Sequence, residues 1–262
     1  MRTHFRQLDW YDPTIFNPKV TIIGAGGIGS WVVMSLARLG VREFTVYDMD
    51  RVEEHNLGST PYHHTELGKK KVHALKQVAQ RFGFKVKYKG IPKRYEGGKL
   101  PPTDILISAV DSMEARRMLF DAAVKQKIPF FIDGRIGGEN LRVYSVRPTK
   151  SKDRKLYRLT TQKKIQVAPL PCTAQQCIDI GFSVAGLITR AFRKWVAQEE
   201  YTPEVIAKIS TLQLITSPLR ETEKRKAWRE RMEADRQRFE EEVRRVRDGQ
   251  NDPGAAIRET AD

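Results

Sequence analysis

Val20-Thr-Ile-Ile-Gly-Ala-Gly-Gly-Ile-Gly-Ser-Trp31 is the stretch on which the reading of this chain turns. Its first four residues form a β-branched and apolar run that suits a strand, and glycines follow at once. Over residues 31–39 apolar side chains recur at helical spacing until Gly40 stops them. Gly24-Ala-Gly26-Gly27-Ile-Gly29 therefore stands between a strand and a helix, where backbone amides converge on phosphate. Glycine lets the chain approach a ligand closely and turn where a Cβ would clash. Alone the pattern is weak; between a strand and a helix it predicts a bound nucleotide.

Outward from this loop, short strands and helices alternate. Residues 44–47 make a second strand ending in Asp48, and residues 67–82 read as a helix with Val72, Leu75, Val78, Ala79 and Phe82 on one face. Residues 84–88 and 104–110 read as strands, 113–127 as a helix and 130–132 as a strand. This order predicts an α/β fold with a Rossmann-like, mostly parallel sheet and helices on both faces. The rhythm then changes. Residues 141–146 alternate as a strand of an antiparallel extension. Residues 148–164 are polar and basic without a clear period, and read as an exposed, mobile crossover loop reaching to about residue 170. Helices are expected over 174–196 and 203–215. Residues 220–248 hold 11 basic and 9 acidic side chains, with Trp228, Met232, Phe239, Val243 and Val246 at spacings of three, four or seven. That stripe reads as a solvated helix resting on its own domain, with a partner-binding or dimer-forming helix as the alternative. The chain thus divides into a nucleotide-binding domain over 1–218, a charged amphipathic helix over 219–248 and a disordered tail over 249–262.

The chain has 262 residues, 40% of them apolar, enough for a sizeable core, which excludes wholesale disorder. A formal charge of +15 leaves nucleotide, nucleic acid, membrane surface or an acidic protein open as anionic partners. The excess is local. Residues 69–99 carry 11 basic side chains against Glu96, and residues 142–164 carry 9 against Asp153. A solvated face is the plain explanation, and no arginine–aromatic pattern for RNA stands out. Two cysteines, Cys172 and Cys177, exclude a disulfide scaffold and a four-cysteine zinc site. The longest uncharged stretch, residues 20–37, is broken by Gly24, Gly26, Gly27 and Gly29, so no membrane anchor is expected. The N-terminus lacks the apolar stretch of a signal peptide. A cytoplasmic protein is predicted.

Asp48 lies 19 residues beyond Gly29 at the end of a strand, which suits a carboxylate on ribose hydroxyls and fits a dehydrogenase equally well. The next stretch decides. Asp48-Met-Asp50-Arg-Val52 continues to Asn56-Leu57, then Gly68-Lys-Lys-Lys71, and Asp111 follows a strand in Ser108-Ala-Val-Asp-Ser112. In these elements and their order the chain resembles the ThiF/MoeB-type adenylyltransferases, the superfamily that includes the ubiquitin-activating enzymes. The resemblance covers roughly residues 5–194. It implies ATP-dependent adenylation of the C-terminal carboxylate of a small ubiquitin-like or sulfur-carrier protein. Two anions must meet in such a reaction, so cations and a metal are needed to offset their repulsion. The resemblance assigns Asp48 to ribose, Asn56 to phosphate, Lys71 to phosphate as a cation, and Asp111 to Mg²⁺; Asp50 joins the glycines in the ATP site. For Lys71 the plain alternative is one solvated lysine of three, and for Asp111 a helix N-cap.

The chain also departs from the family. Where relatives carry Asn-Leu-x-Arg-Gln, it has Asn56-Leu-Gly-Ser59-Thr60, which removes a charge that only Arg51, Lys69 or Lys70 could restore. The zinc-binding Cys-x-x-Cys pairs are absent, so no structural zinc is expected. Phe5-Arg6-Gln-Leu8 resembles the segment that relatives send across a dimer interface to ATP, implying a homodimer with Arg6 acting in trans. A generic basic tail explains Arg6 nearly as well. Leu170-Pro-Cys172-Thr173 resembles the setting of the acceptor cysteine in ubiquitin-activating enzymes, and Cys172 is expected just before a helix, where a thiolate is favoured. Cys177 competes through its four-residue distance to Gly181, and two buried, inert thiols are the plain alternative. Three rivals remain. Relatives that dehydrate a modified adenosine in tRNA share Gly29-Ser-Trp31 and Asp48-Met-Asp50. A nucleotide-binding scaffold without catalysis would tolerate Ser59. A dehydrogenase leaves Asn56, Lys71 and Asp111 unexplained.

Overall fold

β1 (Lys19–Ile23), α1 (Gly29–Leu39) and β2 (Glu43–Tyr47) form the strand–loop–helix–strand unit expected around the glycines. The computed structural model describes residues 4, 7, 8, 10–161 and 177–216. After a short helix α2 (Glu54–Leu57) come α3 (Lys71–Phe82), β3 (Lys87–Ile91), β4 (Ile105–Ser108), α4 (Met113–Lys125) and β5 (Phe130–Gly137). Then follow β6 (Asn140–Val146), α5 (Ser151–Leu159), α6 (Ile178–Val196), β7 (Glu204–Lys208) and β8 (Gln213–Thr216).

The strands make one sheet in the order β3-β2-β1-β4-β5-β6-β7-β8. β3, β2, β1, β4 and β5 run parallel, and β6, β7 and β8 extend the sheet antiparallel. The α/β, Rossmann-like sheet with an antiparallel extension is therefore the observed architecture. β2 lies on one side of β1 and β4 on the other, so the chain reverses its direction of travel between β1 and β4. At such a switch point the loops leaving the strands part, and a crevice opens at the carboxyl ends.

Two apolar layers enclose the sheet. On one face Val20, Ile22, Phe44, Val46, Ile105 and Phe130 pack with α1, α3 and α6. On the other, Leu106, Phe131, Tyr144 and Val146 pack with Leu119 and Phe120 of α4 and Tyr157 of α5. β4 is buried along its whole length, as expected of a parallel strand covered on both faces.

Four expectations change. Residues 151–159 are a helix, not a loop: Tyr157 of α5 is fully buried against Phe120 and Phe131, and one anchor per nine residues leaves no readable period. Residues 203–215 are strands and a tight turn rather than a helix, because Val205 and Ala207 alternate into the core and pair with Val143 and Leu141 of β6. β3 begins three residues later than expected, since Lys85 has a φ of 55° and Phe84 remains exposed, which keeps both out of the sheet. The helix expected from 174 does not run through 177: Cys177 is extended, at φ −76° and ψ 155°, and α6 starts after it. Arg6, Cys172, the 219–248 helix and the 249–262 tail lie outside the described residues. Among the described residues no helix is long and apolar enough to cross a membrane.

Candidate nucleotide-binding site

Gly24 leaves β1 with a φ of 101°, and a Cβ there would lie 2.4 Å from the Ala109 carbonyl oxygen. A Cβ on Gly29 would lie 1.9 Å from the carbonyl oxygen of Gly24. Both positions exclude a side chain. At Gly26 a Cβ would meet nothing within 4 Å, so the middle of the loop borders open space that a ligand can fill. The loop is braced from below: the buried Tyr62 hydroxyl donates to the Ala25 carbonyl at 2.6 Å, and burial pushes that phenol's pKa well up, keeping it a donor. α1 starts at Gly29 with no acidic residue in its first turn, which leaves its positive end available to an anion.

Asp48 follows β2 and accepts from the Ala25 amide at 2.7 Å and from the Asp50 amide at 2.8 Å. Its carboxylate thus ties the glycine loop to the end of the neighbouring strand, a role the sequence did not disclose. Lys71 opens α3. Of the run Lys69-Lys70-Lys71 it alone is buried, its ammonium lies 3.2 Å from Asp50 Oδ2, and its amide donates to the Asp50 carbonyl at 2.9 Å. A cation at a helix N-terminus opposes the macrodipole, so Lys71 is held there by an anion. Asn56 is buried in α2; its side-chain oxygen accepts from the Glu53 amide at 3.0 Å, which leaves the NH₂ as its donor.

Ser59 marks the missing arginine. Its carbonyl accepts from the Trp31 indole at 2.8 Å. Of the cations that could compensate, Arg51 donates to the Gly68 carbonyl at 2.7 Å and Lys70 to the Met49 carbonyl at 2.6 Å. Lys69 is exposed. Asp111 follows β4 and is exposed as well. It is not the helix cap: Ser112 is, its hydroxyl accepting from the Ala115 amide at 3.1 Å. Among the described residues no hydrogen bond or ion pair engages the Asp111 carboxylate. No three His, Cys, Asp or Glu side chains among the described residues gather as a metal site.

Gly24, Gly26, Gly27, Gly29, Asp48, Asp50, Asn56, Lys71 and Asp111 therefore lie on the segments that follow β1, β2 and β4, which are adjacent in the sheet. α6 closes this end. A Cβ on Gly181 would lie 2.8 Å from Trp31 and 3.0 Å from the Gly27 carbonyl oxygen, and the Phe182 ring packs tilted against Trp31 with centroids 4.1 Å apart. Cys177, exposed, is the N-cap residue of α6 and so lies one turn from this contact, not deep within a helix. Sequence reading also missed a buried polar cluster of Arg116, Asp133, Arg135 and Tyr157 behind Asp111. Asp133 and Arg135 are neighbours in β5, but Arg116 and Tyr157 lie 17 and 24 residues from Asp133, and no spacing signal joins them.

The ThiF family pattern matches residues 12–249. The chain belongs to the ThiF family. Among curated relatives, the adenylyltransferase and sulfurtransferase UBA4 of Eremothecium gossypii is 32% identical, over 40% of this chain and 25% of the relative. The sulfur carrier protein adenylyltransferase of Thermus thermophilus is 33% identical, over 40% and 41% of the two chains. The tRNA threonylcarbamoyladenosine dehydratase of Haemophilus influenzae is 28% identical, over 46% and 48%. The chain thus spans a quarter to about half of the length of these relatives. Two solved structures share the fold: E. coli MccB with ATP, at a TM-score of 0.67 and 18% identity over 82% of this chain and 70% of that one, and PaaA, at 0.68 and 17% over 82% and 72%.

Proposed function

We propose that this ThiF-family chain adenylates the C-terminal carboxylate of a small ubiquitin-like or sulfur-carrier protein, using ATP and Mg²⁺. The observation that carries this reading is the convergence of the open glycine loop, the ion-paired Lys71 and the exposed Asp111 on three adjacent strand ends. An incoming carboxylate and an α-phosphate repel each other. The N-terminus of α1 and the Lys71 ammonium offset that repulsion, and Lys71 can exchange the half-exposed Asp50 for a phosphate oxygen. Asp48 would accept from ribose hydroxyls while bracing the loop, and the Asn56 NH₂ would donate to phosphate. Asp111 would hold Mg²⁺ together with phosphate oxygens and water, as this ion prefers. The metal supplies charge neutralisation at the leaving pyrophosphate.

We propose Cys172 as the acceptor thiol, with Cys177 as the alternative, since Cys177 is exposed immediately before α6 and one turn from Gly181. An adduct with the carrier, cleavable by thiol, should vanish in Cys172→Ser and persist in Cys177→Ser; the reverse assigns Cys177. We also infer a homodimer in which Arg6 reaches the partner's nucleotide, working in the cytosol; sedimentation showing only monomer at micromolar concentration overturns the dimer.

The test of the main reading is exchange of pyrophosphate into ATP with a cognate carrier. Asp111→Ala should abolish exchange, and Lys71→Ala should lower it by about a hundredfold or more, since each removes an interaction with developing charge. Exchange at the wild-type rate in Asp111→Ala sinks the assignment. A second reading, the tRNA dehydratase, is favoured by Gly29-Ser-Trp31, by Asp48-Met-Asp50 and by the exposed lysines and arginines of residues 69–99. A gel shift of total tRNA at micromolar protein, absent for an adenylyltransferase of carriers, separates the two.

A further inference from the structure

Asp133, in β5, has no solvent exposure. A carboxylate removed from water needs partners for its charge and its lone pairs. Three donors supply them: Arg116 through Nη1 to Oδ1, Arg135 through Nε to Oδ2 at 2.7 Å, and the Tyr157 hydroxyl to Oδ2 at 2.9 Å. Burial pushes the Tyr157 phenol well up and the charge of Asp133 adds to it, so the hydroxyl keeps its proton and donates. Burial works to lower the Arg135 pKa, but the Asp133 carboxylate together with Tyr157 and Tyr144 raises it on balance, leaving the guanidinium charged.

Neither guanidinium stops at Asp133. Arg116 also donates Nη1 to the Gly134 carbonyl at 2.9 Å and Nη2 to the Val110 carbonyl. Arg135 also donates Nη1 to the Thr160 carbonyl at 3.0 Å and Nη2 to the Thr160 hydroxyl at 2.9 Å, while its Cζ lies 4.3 Å from the centroid of the Tyr144 ring. Val110 is the residue before Asp111, and Thr160 is the C-cap residue of α5. One buried anion is therefore bonded, through one intermediate on each side, to the turn that carries Asp111 and to the C-terminal end of α5. Swinging either arginine away would leave a buried carboxylate short of a donor and a backbone carbonyl unpaired, so the two ends are not free to shift separately.

We propose that Asp133 is a positioning residue: with Arg116, Arg135 and Tyr157 it couples the placement of the Asp111 turn to the docking of α5. The consequence for metal binding rests on Asp111 being the Mg²⁺ carboxylate. The coupling itself does not. A local anchor for α5 would loosen only α5 when disturbed, whereas a coupled cluster loosens both ends.

Hydrogen exchange on the full chain reads this directly. Tyr157→Phe, which deletes one hydroxyl, and Arg135→Lys, which keeps the charge but loses the fork, should each speed exchange by about threefold or more at residues 110–112 as well as at 158–161. Arg117→Lys is the control, because Arg117 holds the Thr161 carbonyl at 2.8 Å from α4; it should speed exchange at 158–161 alone. Wild-type protection of residues 110–112 in both Tyr157→Phe and Arg135→Lys overturns the proposal, as does an equal loss there in Arg117→Lys. In parallel, Mg²⁺-dependent binding of a fluorescent ATP analogue should need about threefold more Mg²⁺ in Tyr157→Phe, with metal-free binding unchanged. Asp111→Asn should remove the Mg²⁺ dependence altogether. If it does not, the metal reading fails, and the exchange data still decide the coupling.

Discussion

At the rim of the sheet, Lys71 meets Asp50 across 3.2 Å, and half of the Asp50 side chain faces solvent. Within β5, Asp133 is enclosed by Arg116, Arg135 and Tyr157 with none of its surface exposed. Both are contacts between a carboxylate and a basic side chain. Their chemistry differs because their surroundings differ. The rim pair is open on one side, so a phosphate can replace Asp50 as the partner of Lys71, with water supplying the leaving carboxylate. The interior cluster has no such exchange partner, and its charges serve to fix positions rather than to bind.

Removing the interior anion should have the largest effect. Asp133→Ala leaves two buried guanidiniums without a counter-charge, and a loss of about 3–5 kcal/mol is expected in urea unfolding. A loss below about 1 kcal/mol would erase the contrast between the two regions. Next comes the loop between them. Gly29→Ala forces a Cβ to within 1.9 Å of a backbone oxygen, so the loop must move. Nucleotide affinity, measured by titration, should fall by about tenfold or more, which corresponds to about 1.4 kcal/mol. Smallest is the pair of Lys87 with Glu43, at 3.5 Å with the lysine largely in solvent. Glu43→Gln should shift unfolding by no more than about 0.5 kcal/mol and leave nucleotide binding unchanged.

The rim was legible in the sequence, and the interior was not. Asp48, Asp111 and the glycines each stand directly after a β-branched or apolar run, so one local signal gives both the strand and the residue it presents. Lys71 was legible through its distance from Gly68, although burial of that lysine alone among three came only from the fold. Asp133 carries no comparable mark. Its partners Arg116 and Tyr157 lie 17 and 24 residues away, and the helix that brings Tyr157 has a single buried residue. The strand β7 was misread as helical because its buried positions, Val205 and Ala207, are too few to establish a period of two against a helix-like run. Cys177 was placed within a helix because small and polar residues before it continue a helical composition, whereas its own backbone is extended.

The missing Cβ of Gly181 has a mechanical consequence. With Trp31 at 2.8 Å and the Gly27 oxygen at 3.0 Å from where that atom would be, α6 and the glycine loop mesh like a tooth in a notch. Close-packed surfaces of this kind transmit displacement instead of absorbing it. α6, a rod of 19 residues, therefore fixes where the glycine loop can sit, and Cys177 stands immediately before its first turn, so loop and thiol share one rigid support.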